Sequence, residues 1–260
     1  MLSLDSPRWK ELNQAYGSAS EIPGLLRAVA EGESSSAWED IWSSLCHQYS
    51  IYSATYAAIP HLVSLAEQGS LKNRLEVLIF CSTVRLFGKL ESEVVSEDLC
   101  DSYNSAMNTI KGLALGLIQE ASKEELLDKY PLPFLIQAVL GLQFGPYPSI
   151  CILDRLAEGS SEIEAECPKC GSGQFFDLAN LPGEARTKSA QSQGLENGAT
   201  IIQEIPPDGW SSGSIVQVAA ALASSFGDDR LSAMILGLNT ETVCEACAFR
   251  YRISDGFDVL

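Results

Sequence analysis

Apolar residues recur every three to four positions along most of residues 1–159, which is the spacing of one face of an α-helix. Short polar turns separate these stretches, and no strand-like alternation interrupts them. The clearest helix is predicted from about 96 to 119, where these residues share one face: Leu99, Tyr103, Ala106, Met107, Ile110, Leu113, Ala114 and Leu117. The pattern predicts a mainly α fold of consecutive antiparallel helix pairs, which is the architecture of an α-solenoid.

The pattern changes after Gly159. Residues 162–176, EIEAECPKCGSGQFF, alternate and then turn, and residues 241–253, ETVCEACAFRYRI, do the same. Each stretch predicts a β-hairpin. Residues 183–199 are polar and aperiodic, which predicts a flexible loop, and two further helices are expected between this loop and the second hairpin.

These patterns predict two regions in the chain. Residues 1–159 form the helical-repeat region, and residues 160–260 form a small zinc-ribbon-like β element with two inserted helices. We expect the β element to pack on the solenoid as one unit with it.

Each predicted hairpin carries a CxxC pair at its turn, Cys167 with Cys170 and Cys244 with Cys247. A CxxC turn directs two thiolates at one metal ion, and two such turns supply the four sulfurs that tetrahedral zinc prefers. Four thiolates leave no open coordination position, so we expect one structural Zn²⁺ rather than a catalytic one. The sequence carries no G-x-S-x-G, P-loop, Rossmann or HExxH motif, so we expect no catalytic residues. The 73 intervening residues exceed the usual spacing of a zinc ribbon, and redox-active or unliganded thiols are the alternatives.

Charge narrows the classes of partner. Asp and Glu number 34 against 17 Lys and Arg, which gives a net charge of −17. This balance argues against a nucleic-acid partner and against an anionic membrane surface. It favours a basic protein partner, although solubility alone would explain it equally well.

Two further features concern the compartment. No apolar run approaches the roughly 18 residues of a membrane helix, and the N-terminal residues lack the pattern of a signal peptide. Paired CxxC cysteines are typical of metal sites in a reducing compartment, so we expect a cytoplasmic protein.

Acidic and aromatic residues are candidates for partner contacts, because carboxylates complement cations and Tyr and Trp are frequent interface anchors. The candidates are Glu39, Asp40, His47, Tyr49, Tyr52 and Trp210. The only histidines, His47 and His61, are expected to be structural. The alternative is an enzyme, or an enzyme accessory subunit, with a site near these two residues.

A stretch at residues 37–66, AWEDIWSSLCHQYSIYSATYAAIPHLVSLA, has a distinctive form. A helix ends in L-x-H-Q, a short loop carries a tyrosine, and the next helix begins A-T-Y-A-A-I-P-H-L. This form resembles HEAT-like repeat proteins of bacteria, some of which end in a CPxC zinc segment such as CPKC here. The resemblance implies a non-enzymatic binding module, because some small acidic helical-repeat proteins resemble immunity proteins that neutralise a toxin. The implied partner is a basic toxin or effector domain.

Overall fold

The computed structural model of the chain describes residues 1–32, 35–90, 95–124, 130–157, 159–181 and 212–257. The chain forms two compact units, Met1–Glu124 and Glu125–Leu260. The region boundary that the sequence predicts at 159/160 therefore falls inside the second unit. The loop predicted over 183–199 lies outside the described residues, and so does Trp210.

The first unit is mainly helical. After a 3-10 turn at Pro7–Glu11, its helices are α1 (Ile22–Glu31), α2 (Ser35–Leu45), α3 (Ser53–Gln68), α4 (Leu71–Phe87) and α5 (Glu97–Lys123). Its short strands are β1 (Asn13–Gln14), β2 (Gly17–Ser18), β3 (Cys46–His47), β4 (Ser50–Ile51) and β5 (Lys89–Leu90). Strands β1 and β2 form an antiparallel hairpin, and β4 pairs antiparallel with β3 and parallel with β5.

Helix α3 is the centre of the first unit, because it packs against α1, α4 and α5. Its buried face carries three alanines that have no exposed surface, Ala54, Ala57 and Ala58. Small side chains allow neighbouring helices to approach closely. Arg74 on α4 also donates from Nη1 to both carboxylate oxygens of Glu120 on α5, at 2.9 Å, which joins these two helices at their surface.

The second unit combines helices with two β-hairpins. Its helices are α6 (Leu132–Phe144), α7 (Pro148–Cys151), α8 (Leu153–Ala157), α9 (Ser212–Ser225) and α10 (Asp229–Gly237). Its hairpins are β6 (Glu162–Glu166) with β7 (Gly173–Asp177) and β8 (Glu241–Val243) with β9 (Arg250–Arg252), followed by a 3-10 turn at Ile253–Gly256. Helix α9 packs against α6, α7 and α10, and it is the core helix of this unit.

The prediction of a mainly helical chain with small β elements is confirmed. Both predicted hairpins are present, and so are the two helices predicted before the second hairpin. The stacking of helix pairs into an α-solenoid stays a prediction. In the described part of the chain, no helix combines the length and apolar character that crossing a membrane requires.

Packing in the first unit predicts the effect of removing one aromatic ring. Phe80 on α4 is fully buried, and its ring meets that of Trp42 edge to face at 4.8 Å. We expect Phe80→Ala to lower the free energy of unfolding by about 3–5 kcal/mol, measured by chemical denaturation. Phe175→Ala is the matched control, because that ring is 78% exposed, and it should change stability by less than about 0.5 kcal/mol. Equal losses in the two variants would contradict this packing.

Candidate metal centre

The first CxxC pair lies in a tight turn between β6 and β7. The N–H of Cys167 donates to the carbonyl of Ser172, and the N–H of Gly171 donates to the carbonyl of Cys167, both at 2.9 Å. Gly171 has φ +69°, a backbone conformation that glycine adopts without a steric penalty. These two hydrogen bonds close the turn and direct both cysteines to the same side.

The second CxxC pair repeats this turn between β8 and β9. The N–H of Cys244 donates to the carbonyl of Phe249, and the N–H of Ala248 donates to the carbonyl of Cys244, again at 2.9 Å. Ala248 stands where the first turn has glycine, and its φ is +56°. The second turn therefore keeps the hydrogen bonds of the first. Its left-handed position is strained, because alanine has a Cβ atom and glycine does not.

The two turns bring four sulfur atoms together. Cys167 Sγ lies 3.7 Å from Cys247 Sγ, and Cys170 Sγ lies 3.6 Å from Cys244 Sγ. All four sulfurs lie within 4.8 Å of one another, and we refer to these four residues as the cysteine cluster. A tetrahedral ion with metal–sulfur bonds of about 2.3 Å has sulfur–sulfur edges of about 3.8 Å, so this arrangement is compatible with a metal site.

Contacts outside the sulfurs also join the two hairpins. Gln174 on β7 donates from Nε2 to the carbonyl of Val243 at 3.4 Å, and it accepts from the hydroxyl of Tyr251 at 2.8 Å. Tyr251 is buried beside Cys167 and Cys244. The hairpins therefore share a small core of their own, and this core helps to position the cysteines.

The backbone of the first turn favours thiolate at one cysteine. Burial raises the pKa of Cys167, but hydrogen bonds from the N–H groups of Lys169 and Cys170 outweigh it, and the pKa falls to about 7. At Cys170 the N–H of Ser172 favours the thiolate, but the adjacent thiols, Cys247 foremost, raise the pKa to about 12. Four thiolates this close repel one another, so full deprotonation requires a cation between them.

The remaining cysteines lie elsewhere in the fold. Burial raises the pKa of Cys46 and of Cys151 to about 11, and it raises that of Cys81 still further. All three thiols are buried, as is usual for cysteines that serve as small apolar core residues. Cys100 on α5 is only partly buried.

The histidines have different surroundings. His47 lies in β3 rather than at a helix end, and its Nδ1 is 3.4 Å from the hydroxyl of Tyr16. His61 on α3 donates from Nε2 to the carbonyl of Leu2 at 2.7 Å. Burial lowers the pKa of His61, so this ring is neutral at pH 7 and serves as a structural donor. Cys46 and His47 are adjacent in a strand, where successive side chains point to opposite faces. The thiol and the imidazole therefore do not face each other.

Five of the six candidate contact residues lie in the first unit, and the sixth, Trp210, is outside the described residues. Glu39 and Asp40 are exposed on α2, and Tyr49 is exposed in the turn between β3 and β4. His47 and Tyr52 are half-buried, and the N–H of Tyr52 donates to the Oγ1 of Thr55 at the start of α3.

A two-residue turn, Gln48–Tyr49, joins β3 to β4. Both residues have positive φ, +49° and +66°, a turn conformation that usually carries Asn or Gly. The Tyr49 ring is 44% exposed and lies 5.0 Å from that of Phe87, and the Tyr49 carbonyl accepts from Lys89 N–H at 2.8 Å. Tyr49 is thus partly exposed to solvent, and its own backbone has a strained left-handed conformation.

Tyr16 is a contact candidate that the sequence did not indicate. It lies in the turn of the β1–β2 hairpin, it is 65% exposed, and its ring lies 5.6 Å from that of His47. Strands of two residues have no measurable periodicity, so only the short A-Y-G turn composition could have marked this residue. The Tyr16 and His47 rings are in contact, and Tyr49 lies in the turn that follows His47. We refer to these three residues together as the aromatic patch.

Exchanging glycine and alanine at the equivalent positions of the two turns should change the free energy of unfolding in opposite directions. Ala248→Gly should raise the free energy of unfolding by up to about 1 kcal/mol, because it relieves a strained φ. Gly171→Ala should lower it by about 1–2 kcal/mol, although nothing lies within 4 Å of the added Cβ. Thermal unfolding of the two variants beside the parent protein checks both signs. A stabilising Gly171→Ala would show that the first turn is not held as described.

The cysteine cluster and the aromatic patch are thus the two chemically distinctive features among the described residues. Comparison with known proteins gave no match to a family model, to a curated protein or to a solved structure.

Proposed function

We propose that the chain is a non-enzymatic protein-binding module, that a structural zinc ion stabilises its second unit, and that the aromatic patch contacts a basic partner protein. The observation that carries the binding function is Tyr49, an exposed aromatic residue with φ +66°. The zinc ion supports the fold and takes no part in the contact.

The donor set supports zinc as the metal. Four cysteine sulfurs, with cross-hairpin separations of 3.6 and 3.7 Å, match the ligand type and edge length of a closed tetrahedral zinc site. Strands of three residues, as in β8 and β9, are too short to be stable as an isolated hairpin. Zinc bound between the hairpins would supply this stability, because metal affinity of a site that exists only in the folded state is folding free energy.

The backbone of the aromatic patch supports a contact role for Tyr49. A non-glycine residue in the left-handed region costs about 1–2 kcal/mol, and glycine would avoid this cost. Packing of the ring against Phe87 offsets part of this cost, but the residue remains 44% exposed. Strained residues of this kind occur preferentially at functional sites, and tyrosine is among the most frequent interface anchors.

Charge supports a basic partner. The chain carries a net charge of −17, and Glu39 and Asp40 are exposed in the same unit as the aromatic patch. Opposite charge raises the rate of association and disfavours acidic competitors. The resemblance of residues 37–66 to HEAT-like repeat proteins points to an immunity protein bound to a basic toxin or effector domain, with the helix pairs stacked as an α-solenoid.

The zinc proposal predicts one zinc ion per chain in protein purified without chelator, measured by elemental mass spectrometry. Replacing Cys244 and Cys247 together by serine should release the ion and lower the melting temperature, whereas Cys100→Ser should leave both unchanged. Zinc affinity should fall as pH is lowered, because the thiols must lose their protons to bind. Two zinc ions per chain, or none, would contradict a single site shared by both pairs.

The binding proposal predicts that Tyr49→Gly weakens partner binding at least about tenfold, a loss typical of an interface anchor, while the protein stays as stable as the parent. Gln48→Gly is the matched control, because it relieves the same kind of strain and leaves the aromatic ring in place. Binding is measured by calorimetric titration of the partner recovered by affinity capture from the native host, at low and at high salt.

Three results of this titration would count against the proposal. One is a partner that binds Tyr49→Gly as tightly as the parent protein. Another is equal losses in the Tyr49 and Gln48 variants, which would indicate a conformational effect. A third is an acidic partner whose binding is unaffected by salt.

A further inference from the structure

The sulfurs of the cysteine cluster are also oxidisable, and two close contacts between them join the two hairpins. We propose that the cluster is an oxidation site in which the thiols pair across the two hairpins, Cys170 with Cys244 and Cys167 with Cys247. Release of the zinc ion on oxidation rests on the metal site proposed above. The pairing itself rests only on the positions of the cysteines.

The pairing is inferred from two contacts between sulfur atoms. The separations of 3.6 Å and 3.7 Å both join a cysteine of the β6–β7 hairpin to a cysteine of the β8–β9 hairpin. Either contact becomes a disulfide when the two sulfurs approach by less than about 2 Å, a movement that rotation of the cysteine side chains can supply.

Contacts that involve no sulfur also join the two hairpins. Gln174 joins them through the carbonyl of Val243 and the hydroxyl of Tyr251, and neither hydrogen bond involves a cysteine side chain. The 3-10 turn after β9 also packs closely on the first hairpin, because a Cβ at Gly256 would lie 2.6 Å from the carbonyl oxygen of Glu166. When the ion leaves, the cross-hairpin sulfurs therefore remain neighbours.

Exposure differs among the four sulfurs. Cys170 is exposed and Cys247 is partly exposed, whereas Cys167 and Cys244 are buried. Metal-bound cysteines are all thiolates, so access to solvent decides which sulfur meets an oxidant first. Cys170 is thus the first site of oxidation, and its neighbour Cys244 is the thiol that resolves it.

The chemistry balances with two molecules of hydrogen peroxide as the oxidant, one for each disulfide. The first peroxide joins Cys170 and Cys244 in the steps that follow, and the second joins Cys247 and Cys167 in the same way. The Cys170 thiolate attacks one peroxide oxygen, the O–O bond breaks, and the sulfur becomes a sulfenic acid while hydroxide leaves. The Cys244 thiolate then attacks that sulfur, the S–O bond breaks, and a second hydroxide leaves. Two protons convert the hydroxides to water. Two sulfurs lose two electrons in total, and the two peroxide oxygens gain them.

Pairing across the hairpins has a structural consequence that pairing within a hairpin lacks. A disulfide from Cys170 to Cys244 closes the same long loop that the metal ion would close, so it keeps the constraint on the unfolded chain. A disulfide from Cys167 to Cys170 closes only its own turn. Oxidation across the hairpins therefore exchanges a metal link for a covalent one.

Peptide mapping tests the pairing in the full chain. The protein is assayed for zinc, oxidised with hydrogen peroxide, alkylated and digested with trypsin and a glutamate-specific protease. Cleavage after Lys169 separates Cys167 from Cys170, and cleavage after Glu245 separates Cys244 from Cys247. We expect linked peptides for Cys170 with Cys244 and for Cys167 with Cys247, together with loss of the zinc. Links within the CPKC and CEAC turns would overturn the inference.

Variants and a chelator supply independent readouts. Cys170→Ser should lose the link to Cys244 and keep that between Cys167 and Cys247, whereas Cys100→Ser should keep both links and the zinc release. EDTA should leave the melting temperature of the oxidised parent protein unchanged, whereas it should lower the melting temperature of the reduced protein. An oxidised protein as sensitive to EDTA as the reduced one would overturn the inference, even if Cys170→Ser failed to fold.

The zinc assay separates this inference from the proposed metal centre. Protein without zinc before oxidation would overturn the metal centre, and the peptide map would still decide the pairing. Zinc-loaded protein whose links form within each turn would overturn the inference and leave the metal centre standing.

Discussion

Convergence of four cysteine sulfurs on one point is the constraint on which the organisation of the β element depends. Two hairpins with strands of three to five residues have little backbone pairing and little apolar surface to hold them. The buried Tyr251 and the hydrogen bonds of Gln174 give them a small common core. A shared metal ion would add the remaining stability through the sulfurs that this core positions.

The first unit is held together by the packing of helices rather than by a cluster of cysteines. Helix α3 packs against three other helices through small side chains, and the short strands sit at the ends of helices rather than in a large sheet. The turn at Gln48–Tyr49 departs from the general rule that each residue suits its local backbone, since neither residue favours a positive φ. Conflicts of this kind, in an otherwise consistent fold, are where functional residues are expected.

The sequence predicted those parts of the structure that depend on local chemistry. Both hairpins were predicted because a CxxC turn needs only a few neighbouring residues to form, and the cysteine cluster was predicted because four thiolates are the donor set that one zinc ion prefers. The long helix α5 was predicted because its apolar stripe repeats over many turns. The contact between Tyr16 and His47 was not predicted, because it joins two hairpins whose strands are too short to show a pattern. The division after Glu124 has no marker in the sequence pattern, because helices on both sides of it have the same kind of sequence.

The separation of the two CxxC pairs along the chain has a consequence for synthesis. Cys170 and Cys244 are 74 residues apart, and a ribosome adds about 5–20 residues per second, so roughly 4–15 s pass between the first pair and the second. During this interval the nascent chain contains only the first of the two CxxC pairs. A metal ion held by both pairs would therefore be bound late in synthesis, once the second pair has been made.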